Sequence, residues 1–470
     1  MAKMQPKRWL SPTAIAKATG CLHSWYLECY GDPDEKVQPD AGTELLWQRG
    51  REHEQEMVST IETVSPKWEM PKWEQGYKDT IELMKAGHPW IYQGVLIEGI
   101  TRGLPDLLKK VEGKSALGNF TYIPVDIKNH KEVNKKDEFQ LLTYSILLEP
   151  VIGTRPETGA IWLNTGNIEG VNLRKNYGKF SELIKHMEMV RSGGVETLGF
   201  SCSECDLCAW IAHCEKWWDE IRSTCLVRKV DESDAQILYD LGIRSYEQLA
   251  ITNPEQLKDK LNWKEHKIEN VLLHAKARVL GRPIPKAPIK LPKNVPIYFY
   301  DIETYSDCTY LHGVIRLEGD KREEKSFLAH DPSQEKEAWH SFLKYLSRDK
   351  KAVVYCWTFY ERRFANSLWT TYGGDPDGWN LLSKNLRDQC KLVKDHFAFP
   401  VKTYGIKEVA PTLGFNWDAE DAGGQNSEMW YKQWLETGDE TILNKIIRYN
   451  LDDVRAMEVI HKKLIDLVKD

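Results

Sequence analysis

The chain carries five prolines within residues 283–296, a density that neither a helix nor a central strand can accommodate. Lysines stand between these prolines, and a segment of this composition is stiff and extended. We therefore predict a linker at 283–296 and place the clearest domain boundary there. The prolines are Pro283, Pro285, Pro288, Pro292 and Pro296.

The linker separates blocks with different patterns. Residues 1–225 and 297–470 each mix strand and helix patterns, which predicts two α/β domains. Residues 226–282 have a helical pattern that is interrupted near Gly242, which predicts a small helical hairpin domain. Two interpretations of that hairpin remain open. We favour a spacer, and the alternative is a helix-hairpin-helix whose amides near Gly242 contact a phosphate backbone.

Charge and hydropathy exclude several classes of protein. The 470 residues include 64 basic and 70 acidic side chains, a net charge of −6, which argues against a protein that coats polyanions. Any contact with nucleic acid must then use local basic patches, or carboxylates that hold metal ions. No apolar stretch suits a membrane helix or a signal peptide, so we expect a cytoplasmic protein without a membrane partner. The chain also lacks a Walker A loop, so any motor would be a separate protein.

Four cysteines follow one another at the spacing Cys202-x2-Cys205-x2-Cys208-x5-Cys214. Thiolates this close together can converge on one soft metal or cluster, and without a secretion signal they predict metal ligands rather than disulfides. Zinc would take all four locally. An iron–sulfur cluster could take three of them together with a distant cysteine such as Cys21. The spacing predicts a metal centre and leaves these two chemistries open.

A predicted strand at residues 122–128 places Asp126 and Lys128 side by side, because alternate residues of a strand share a face. A carboxylate that holds a divalent ion, beside a lysine that stabilises developing charge, suits phosphodiester hydrolysis. More side chains of suitable chemistry occur around this strand: an imidazole on a predicted helix, a second acid after a turn, and a helical Gln-x3-Tyr pair. They are His53, Asp106, Gln140 and Tyr144.

This ordered set resembles the RecB-like PD-(D/E)xK nucleases that carry an iron–sulfur cluster. These include CRISPR-associated RecB-like exonucleases and the nuclease domain of AddAB-type recombination enzymes. The resemblance covers residues 8–220 and implies a restriction-endonuclease-like domain in which Lys128 assists the chemistry. Gln140 and Tyr144 match the Gln-x3-Tyr motif of that family. The implied ligands of Mg²⁺ or Mn²⁺ are His53, Asp106 and Asp126.

The same resemblance implies a 4Fe–4S cluster that ties the two ends of this domain together. Cys202 is an extra cysteine outside the family pattern. The implied cluster ligands are Cys21, Cys205, Cys208 and Cys214.

A second predicted strand, directly after the proline-rich segment, ends in Asp301 and Glu303. Two acids side by side at the end of an apolar strand repel each other unless a cation neutralises them. Glu361 follows the next predicted strand. Near the end of the chain, a helix predicted to begin at Tyr449 presents Asp453 on the same face, four residues later.

This second set resembles the DEDD exonucleases of the RNase H-like superfamily, the DnaQ-like 3′–5′ exonucleases. The resemblance covers residues 296–468 and implies two-metal phosphodiester hydrolysis, in which Tyr449 positions the attacking water. Glu361 stands where the family usually has an aspartate, and its side chain is one methylene longer. The implied ligands of the divalent ions are Asp301, Glu303, Glu361 and Asp453.

The sequence therefore predicts an α/β nuclease with two active sites, a PD-(D/E)xK domain and an RNase H-like domain joined through a small helical domain. Its cofactors would be a 4Fe–4S cluster and Mg²⁺ or Mn²⁺. We expect DNA as the substrate, with RNA as the alternative. Two further hypotheses remain open. Either only one site is active, or the chain is a non-catalytic adaptor that loads a separate helicase onto DNA ends.

Overall fold

The computed structural model describes residues 8–39, 41–418 and 424–467. The chain forms two compact units that divide between Trp217 and Trp218, which we call the N-terminal unit and the C-terminal unit. Across the described ranges, every helix is too short or too polar to span a bilayer.

The helical segment 226–282 and the proline-rich segment 283–296 both belong to the C-terminal unit. The division into compact units therefore differs from the boundary that we predicted at the prolines. Within the proline-rich segment, Ile284–Pro285 pairs with Phe397–Ala398, and Ile289 is buried in the core of that unit. The prolines prevent helix formation, as expected, but they do not prevent the apolar residues between them from packing.

The N-terminal unit is built on a mixed sheet of five strands. The order is β1-β4-β5-β6-β7, in which β5 runs antiparallel to β4 and parallel to β6. Strands β2 and β3 form a separate hairpin. The strands are β1 Trp90–Tyr92, β2 Leu96–Glu98, β3 Thr101–Gly103, β4 Leu107–Ser115, β5 Gly118–Lys128, β6 Thr158–Leu163 and β7 Ile168–Asn172.

Helices cover this sheet, and the long α5 packs against β5. Asn134 begins α5 with a capping box to Asp137, and Gly153 ends it in the left-handed conformation. The division between the units falls within α7. The helices are α1 Pro12–Ala18, α2 Leu22–Tyr30, α3 Ala41–Ser59, α4 Trp73–Ala86, α5 Lys135–Ile152, α6 Tyr177–Arg191 and α7 Ile211–Glu220.

The C-terminal unit begins with short helices in the segment that the sequence predicts to be helical, and its turn contains Gly242 at a φ of +82°. Its core lies on both faces of a second five-stranded sheet. The order of that sheet is β11-β10-β9-β12-β13, an antiparallel meander β9–β11 followed by two strands parallel to β9. The strands are β8 Ile284–Pro285, β9 Ile297–Tyr305, β10 Cys308–Glu318, β11 Lys321–Leu328, β12 Val353–Cys356, β13 Leu386–Asp388 and β14 Phe397–Ala398.

The last helix, α18, packs against β9 and β10. It begins at Glu440, so the predicted start at Tyr449 is wrong by nine residues, because Leu443 and Ile446 extend its buried stripe. The helices of this unit are α8 Glu232–Asp240, α9 Tyr246–Ala250, α10 Pro254–Leu261, α11 Glu265–Leu280, α12 Glu335–Leu346, α13 Tyr360–Tyr372, α14 Pro376–Asn385, α15 Gln389–His396, α16 Ile406–Val409, α17 Gly424–Thr437 and α18 Glu440–Leu467.

Candidate active sites

The acids predicted in the C-terminal unit meet beside the second half of β9, which continues past them to Tyr305. Asp301 and Glu303 lie on this strand and Asp453 lies on α18, and oxygen atoms of these three carboxylates lie within 4.8 Å of one another. Glu361, near the start of α13, is within hydrogen-bonding reach of Asp301. One Glu361 oxygen, Oε2, is buried without a hydrogen-bond partner among the described residues. The extra methylene of Glu361 therefore does not take its carboxyl group away from the cluster.

Neutral hydrogen-bond donors hold these carboxylates in place. Asn450 Nδ2 donates to Asp301 Oδ2 at 2.8 Å, and Trp417 Nε1 donates to Asp453 Oδ1 at 2.7 Å. A β-carbon at Gly313 would approach Asn450 Oδ1 to 1.8 Å, so only glycine at 313 leaves room for this amide. Sequence reasoning missed Asn450 and Trp417. Asn450 could have been found, since it lies three residues before Asp453 and therefore on the same face of α18.

A cavity of about 360 Å³ opens onto the acids, and Thr304, Tyr360 and Tyr449 contribute to its lining. The Tyr449 hydroxyl is within hydrogen-bonding reach of Asp453, as predicted from their spacing. The Lys407 ammonium group lies 4.7 Å from the centre of the Tyr449 ring. The cavity therefore combines clustered carboxylates, a phenol and a neighbouring cation.

Burial makes these carboxylates difficult to ionise without a cation. Loss of solvent, followed by the charges of Asp453 and Glu303, raises the pKa of Asp301 well above its usual range. Burial also raises the pKa of Glu303 to about 8, that of Glu361 to about 8 and that of Asp453 to about 6. An acid cluster with these properties takes up protons or divalent cations, and its donor set of hard oxygen atoms suits Mg²⁺ or Mn²⁺.

We predict that the metal-free protein loses stability as the pH rises from about 5 to about 8. The pKa of Glu303 is higher in the folded protein than in the unfolded chain, so the folded state holds more protons across this window. The stabilisation is complete below the unfolded pKa and is lost as the pH passes through the folded one. Thermal unfolding in EDTA should show this decline, and added Mn²⁺ should reverse it at pH 8. A Glu303→Gln variant should have a flatter pH profile, and an equally steep one would contradict the assignment.

The acids predicted in the N-terminal unit also come together. The Ile127 amide donates to Asp106 Oδ2 at 2.7 Å, and the Asp106 amide donates to Asp126 Oδ1 at 3.4 Å. Lys128 Nζ lies 3.1 Å from Asp126 Oδ2, which is the pairing expected from their positions on β5. Glu54, which sequence reasoning missed, lies close enough for its charge to act on Asp106. The position of Glu54 directly after His53 on α3 is the sequence feature that could have pointed to it.

The charged groups of this second site change one another's pKa values. Loss of solvent, and then the charge of Asp126, raises the pKa of Asp106 well above its usual range. Burial lowers the pKa of Lys128, but the charges of Asp126 and Asp106 raise it by a larger amount. The pKa of Lys128 is therefore above its usual value. Tyr144 on α5 senses the same carboxylates, and its hydroxyl donates to the Leu104 carbonyl at 3.0 Å.

The remaining predicted residues of this site have less contact with it. His53 lies on α3 as predicted, and its Nε2 atom is buried without a hydrogen-bond partner in the described part of the chain. The described residues do not, however, place ligand atoms of His53, Asp106 and Asp126 all within 4.8 Å of one another. Gln140 lies on α5 one turn before Tyr144 and is half-buried.

The predicted cysteines gather within the N-terminal unit. Cys202 Sγ lies 3.8 Å from Cys205 Sγ and within hydrogen-bonding reach of the Cys21 thiol. Cys205 in turn senses the charge of Cys214, and the Trp210 amide donates to Cys208 Sγ at 3.4 Å. Cys202, which lies outside the family pattern, thus contacts Cys21. A soft metal or a cluster suits a donor set of thiols.

Comparison with known proteins identifies the C-terminal fold. Residues 298–465 match the family model described as the RNase_H superfamily. This range contains Asp301, Glu303, Glu361 and Asp453, so the C-terminal unit holds an RNase H-like domain with the acid cluster inside it. A comparison with curated proteins gives no match.

Proposed function

We propose that this protein is a metal-dependent nuclease that hydrolyses phosphodiester bonds, with DNA as its main substrate. The observation that carries the proposal is the approach of Asp301, Glu303 and Asp453 to within 4.8 Å inside the RNase H-like domain. Acids this close together repel each other when ionised, and a bound divalent cation removes that repulsion. RNase H-like nucleases use divalent metals, and their substrates are nucleic acids.

The residues of the C-terminal site would have different roles in hydrolysis. Asp301, Glu303 and Asp453 would hold Mg²⁺ or Mn²⁺, with Glu361 as a further ligand through its unpartnered oxygen. When bound, such ions supply an activated water and stabilise the leaving oxygen. The Tyr449 hydroxyl, beside Asp453, would orient the water. We propose 3′–5′ exonuclease polarity for this site, in line with the DEDD resemblance.

A second candidate site, in the N-terminal unit, is favoured by the Asp106–Asp126–Lys128 group. The charge of Asp126 acts on Asp106, and Lys128 is held beside Asp126 by their ion pair. We propose that this is the PD-(D/E)xK site. The resemblance also implies His53 as a ligand, although its ligand atoms and those of Asp106 and Asp126 do not all lie within 4.8 Å of one another in the described residues. Gln140 and Tyr144 would then line the path of the substrate.

The test is a panel of end-labelled single-stranded DNA, duplex DNA and RNA, each with Mg²⁺ or Mn²⁺. Wild type, Asp126→Ala, Asp301→Ala and the double variant are compared by the length of the products. We expect each single variant to lose one class of product and the double variant to lose all of them. If one single variant alone abolishes all cleavage, only that site is active.

The non-catalytic adaptor hypothesis makes a different prediction in the same panel. An adaptor that loads a separate helicase would bind DNA ends tightly and leave every substrate intact under each metal condition. That outcome would contradict the proposed nuclease.

For the cysteine cluster we propose a 4Fe–4S centre held by Cys21, Cys205, Cys208 and Cys214. The contacts of Cys202 with Cys21 and Cys205 make it a competing ligand. Iron–sulfur clusters and zinc both take thiolates, so the metal must be measured.

We predict that anaerobically purified protein is brown and contains iron and sulfide, and that Cys21→Ser loses both and lowers the melting temperature. A cluster that joins Cys21 to the Cys202–Cys214 segment closes a long loop, so its removal should destabilise the N-terminal unit. The matched control is Cys308→Ser, a cysteine of the C-terminal unit. Colourless protein with stoichiometric zinc would contradict the cluster, and unchanged iron in Cys21→Ser would leave Cys202 as the ligand.

A further inference from the structure

The N-terminal unit contains a groove that shares Tyr144 with the surroundings of its acids. Its volume is about 610 Å³. Aromatic and cationic side chains contribute much of its lining, and the floor includes a glycine. The lining residues that matter here are Trp9, Trp73, Arg102, Gly103, Leu104 and Tyr144.

The centre of the groove is an arginine between two indoles. The Arg102 guanidinium carbon lies 4.6 Å from the centre of the Trp9 ring and 4.3 Å from that of Trp73. Trp68 continues the aromatic row, 5.2 Å from Trp73. Trp9 is 42% exposed, so part of its ring is available to a ligand. Arginine held against indole faces is also a planar surface on which another aromatic ring can stack.

Arg102 carries a charge that no carboxylate of the described residues offsets. Partial loss of solvent lowers the pKa of its guanidinium group, and no ion pair within that part of the chain reverses the effect. Arg8, at the edge of the same groove, differs because it pairs with Glu28. A cation beside aromatic rings suits a ligand that is both anionic and aromatic. Nucleotides have this combination, since each carries a phosphate and a base.

The groove lies near the acids, as two of its residues show. Arg102 lies four residues before Asp106, so their Cα atoms can be at most about 14 Å apart. Tyr144 lines the groove and also senses the charges of Asp126 and Asp106. A β-carbon at Gly103 would lie 3.0 Å from the Tyr144 ring and 2.6 Å from Pro12. Glycine at this position therefore lets both side chains pack against the backbone of the groove.

We propose that this groove binds single-stranded nucleic acid, with one base stacked on Trp9 and a backbone phosphate at Arg102, and thereby delivers the strand to Asp106 and Asp126. Unpaired bases expose the faces that such stacking requires, whereas bases inside a duplex do not. The groove therefore selects single strands over duplexes. This inference rests on the proposed nuclease function and adds to it the form of the substrate for the N-terminal site.

The experiment measures binding in EDTA, where metal-dependent cleavage cannot occur. Full-length protein is titrated into labelled oligothymidylate and, separately, into a labelled blunt duplex, and anisotropy is recorded. We expect Trp9→Ala to weaken binding of the single strand about tenfold or more. Trp9→Phe should retain most of the affinity, and duplex binding should not change. Arg102→Gln should reduce the dependence of single-strand binding on salt, because one phosphate contact is lost.

The matched control is Trp47→Ala, which removes a tryptophan of the same unit that is 50% exposed and does not line the groove. Unchanged single-strand affinity in Trp9→Ala, or an equal loss for the duplex or in Trp47→Ala, would overturn the proposal. A wild-type protein that prefers single strands through Trp9 but cleaves nothing when metal is added would refute the nuclease and leave the groove assignment intact. Active cleavage without any effect of Trp9→Ala on binding would refute the groove assignment alone.

Discussion

Replacing Asp301 with asparagine is expected to lower the rate of 3′–5′ degradation by about a thousandfold. The substitution removes a charged ligand at the centre of the cluster, where Asp301 accepts a hydrogen bond from Asn450 and faces Glu303 and Asp453. A bound divalent ion contributes several kcal/mol to transition-state stabilisation, and each 1.36 kcal/mol corresponds to about a tenfold change in rate. The rate is measured as release of labelled mononucleotide from a 3′ end with Mn²⁺ present.

The control for Asp301→Asn is Asp307→Asn, an exposed acid in the turn that follows the same strand. It removes the same charge a short distance away, so we expect a change of less than about twofold. Because the pKa of Asp301 is raised, the asparagine variant should fold at least as stably as metal-free wild type at neutral pH. An activity loss accompanied by a lower melting temperature would indicate a folding defect instead.

The parts of both sites that could be predicted from sequence are those fixed by local geometry. The strand period places Asp126 beside Lys128 and Asp301 beside Glu303, and the structure shows both pairs together. The approach of acids that lie far apart in the chain was predicted only through family resemblance. The structure supports it where it brings Asp453 to Asp301 and Asp106 to Asp126. The RNase H-like domain is likewise confirmed by the family match at 298–465.

The parts that could not be predicted depend on packing between distant segments. Trp417 reaches Asp453 from a loop that carries no local signal for this contact. The proline-rich segment is not helical, as expected, but the burial of Ile289 depends on a core that includes Phe397 and Leu464, which lie more than a hundred positions later. The contact between Cys202 and Cys21 joins residues far apart in the chain, and the family resemblance had left Cys202 outside the implied cluster ligands.

The Lys128–Asp126 pair leads to the second large effect. We predict that Lys128→Met abolishes cleavage at the N-terminal site and lowers the free energy of unfolding by about 3 to 5 kcal/mol. The Asp126 side chain is 1% exposed and that of Lys128 is 20% exposed, so the substitution leaves a buried carboxylate without its cation. For a unit of this size, calorimetry should record a drop in melting temperature of roughly 6 to 20 °C. Breaking the exposed Arg174–Glu157 pair with Arg174→Met should cost less than about 0.5 kcal/mol.

A double variant separates the two roles of this lysine. Asp126→Asn removes the carboxylate that Lys128→Met leaves without a cation. The double variant should therefore recover most of the stability lost in Lys128→Met, because an amide and a thioether leave no unpaired ion in the interior. Cleavage at the N-terminal site should remain absent, since both the metal ligand and the cation are gone. In the double variant we thus expect stability to return while activity stays absent. If the double variant were as unstable as Lys128→Met, the cost would arise from lost packing of the lysine stem, and the ion pair would not explain the burial of Asp126.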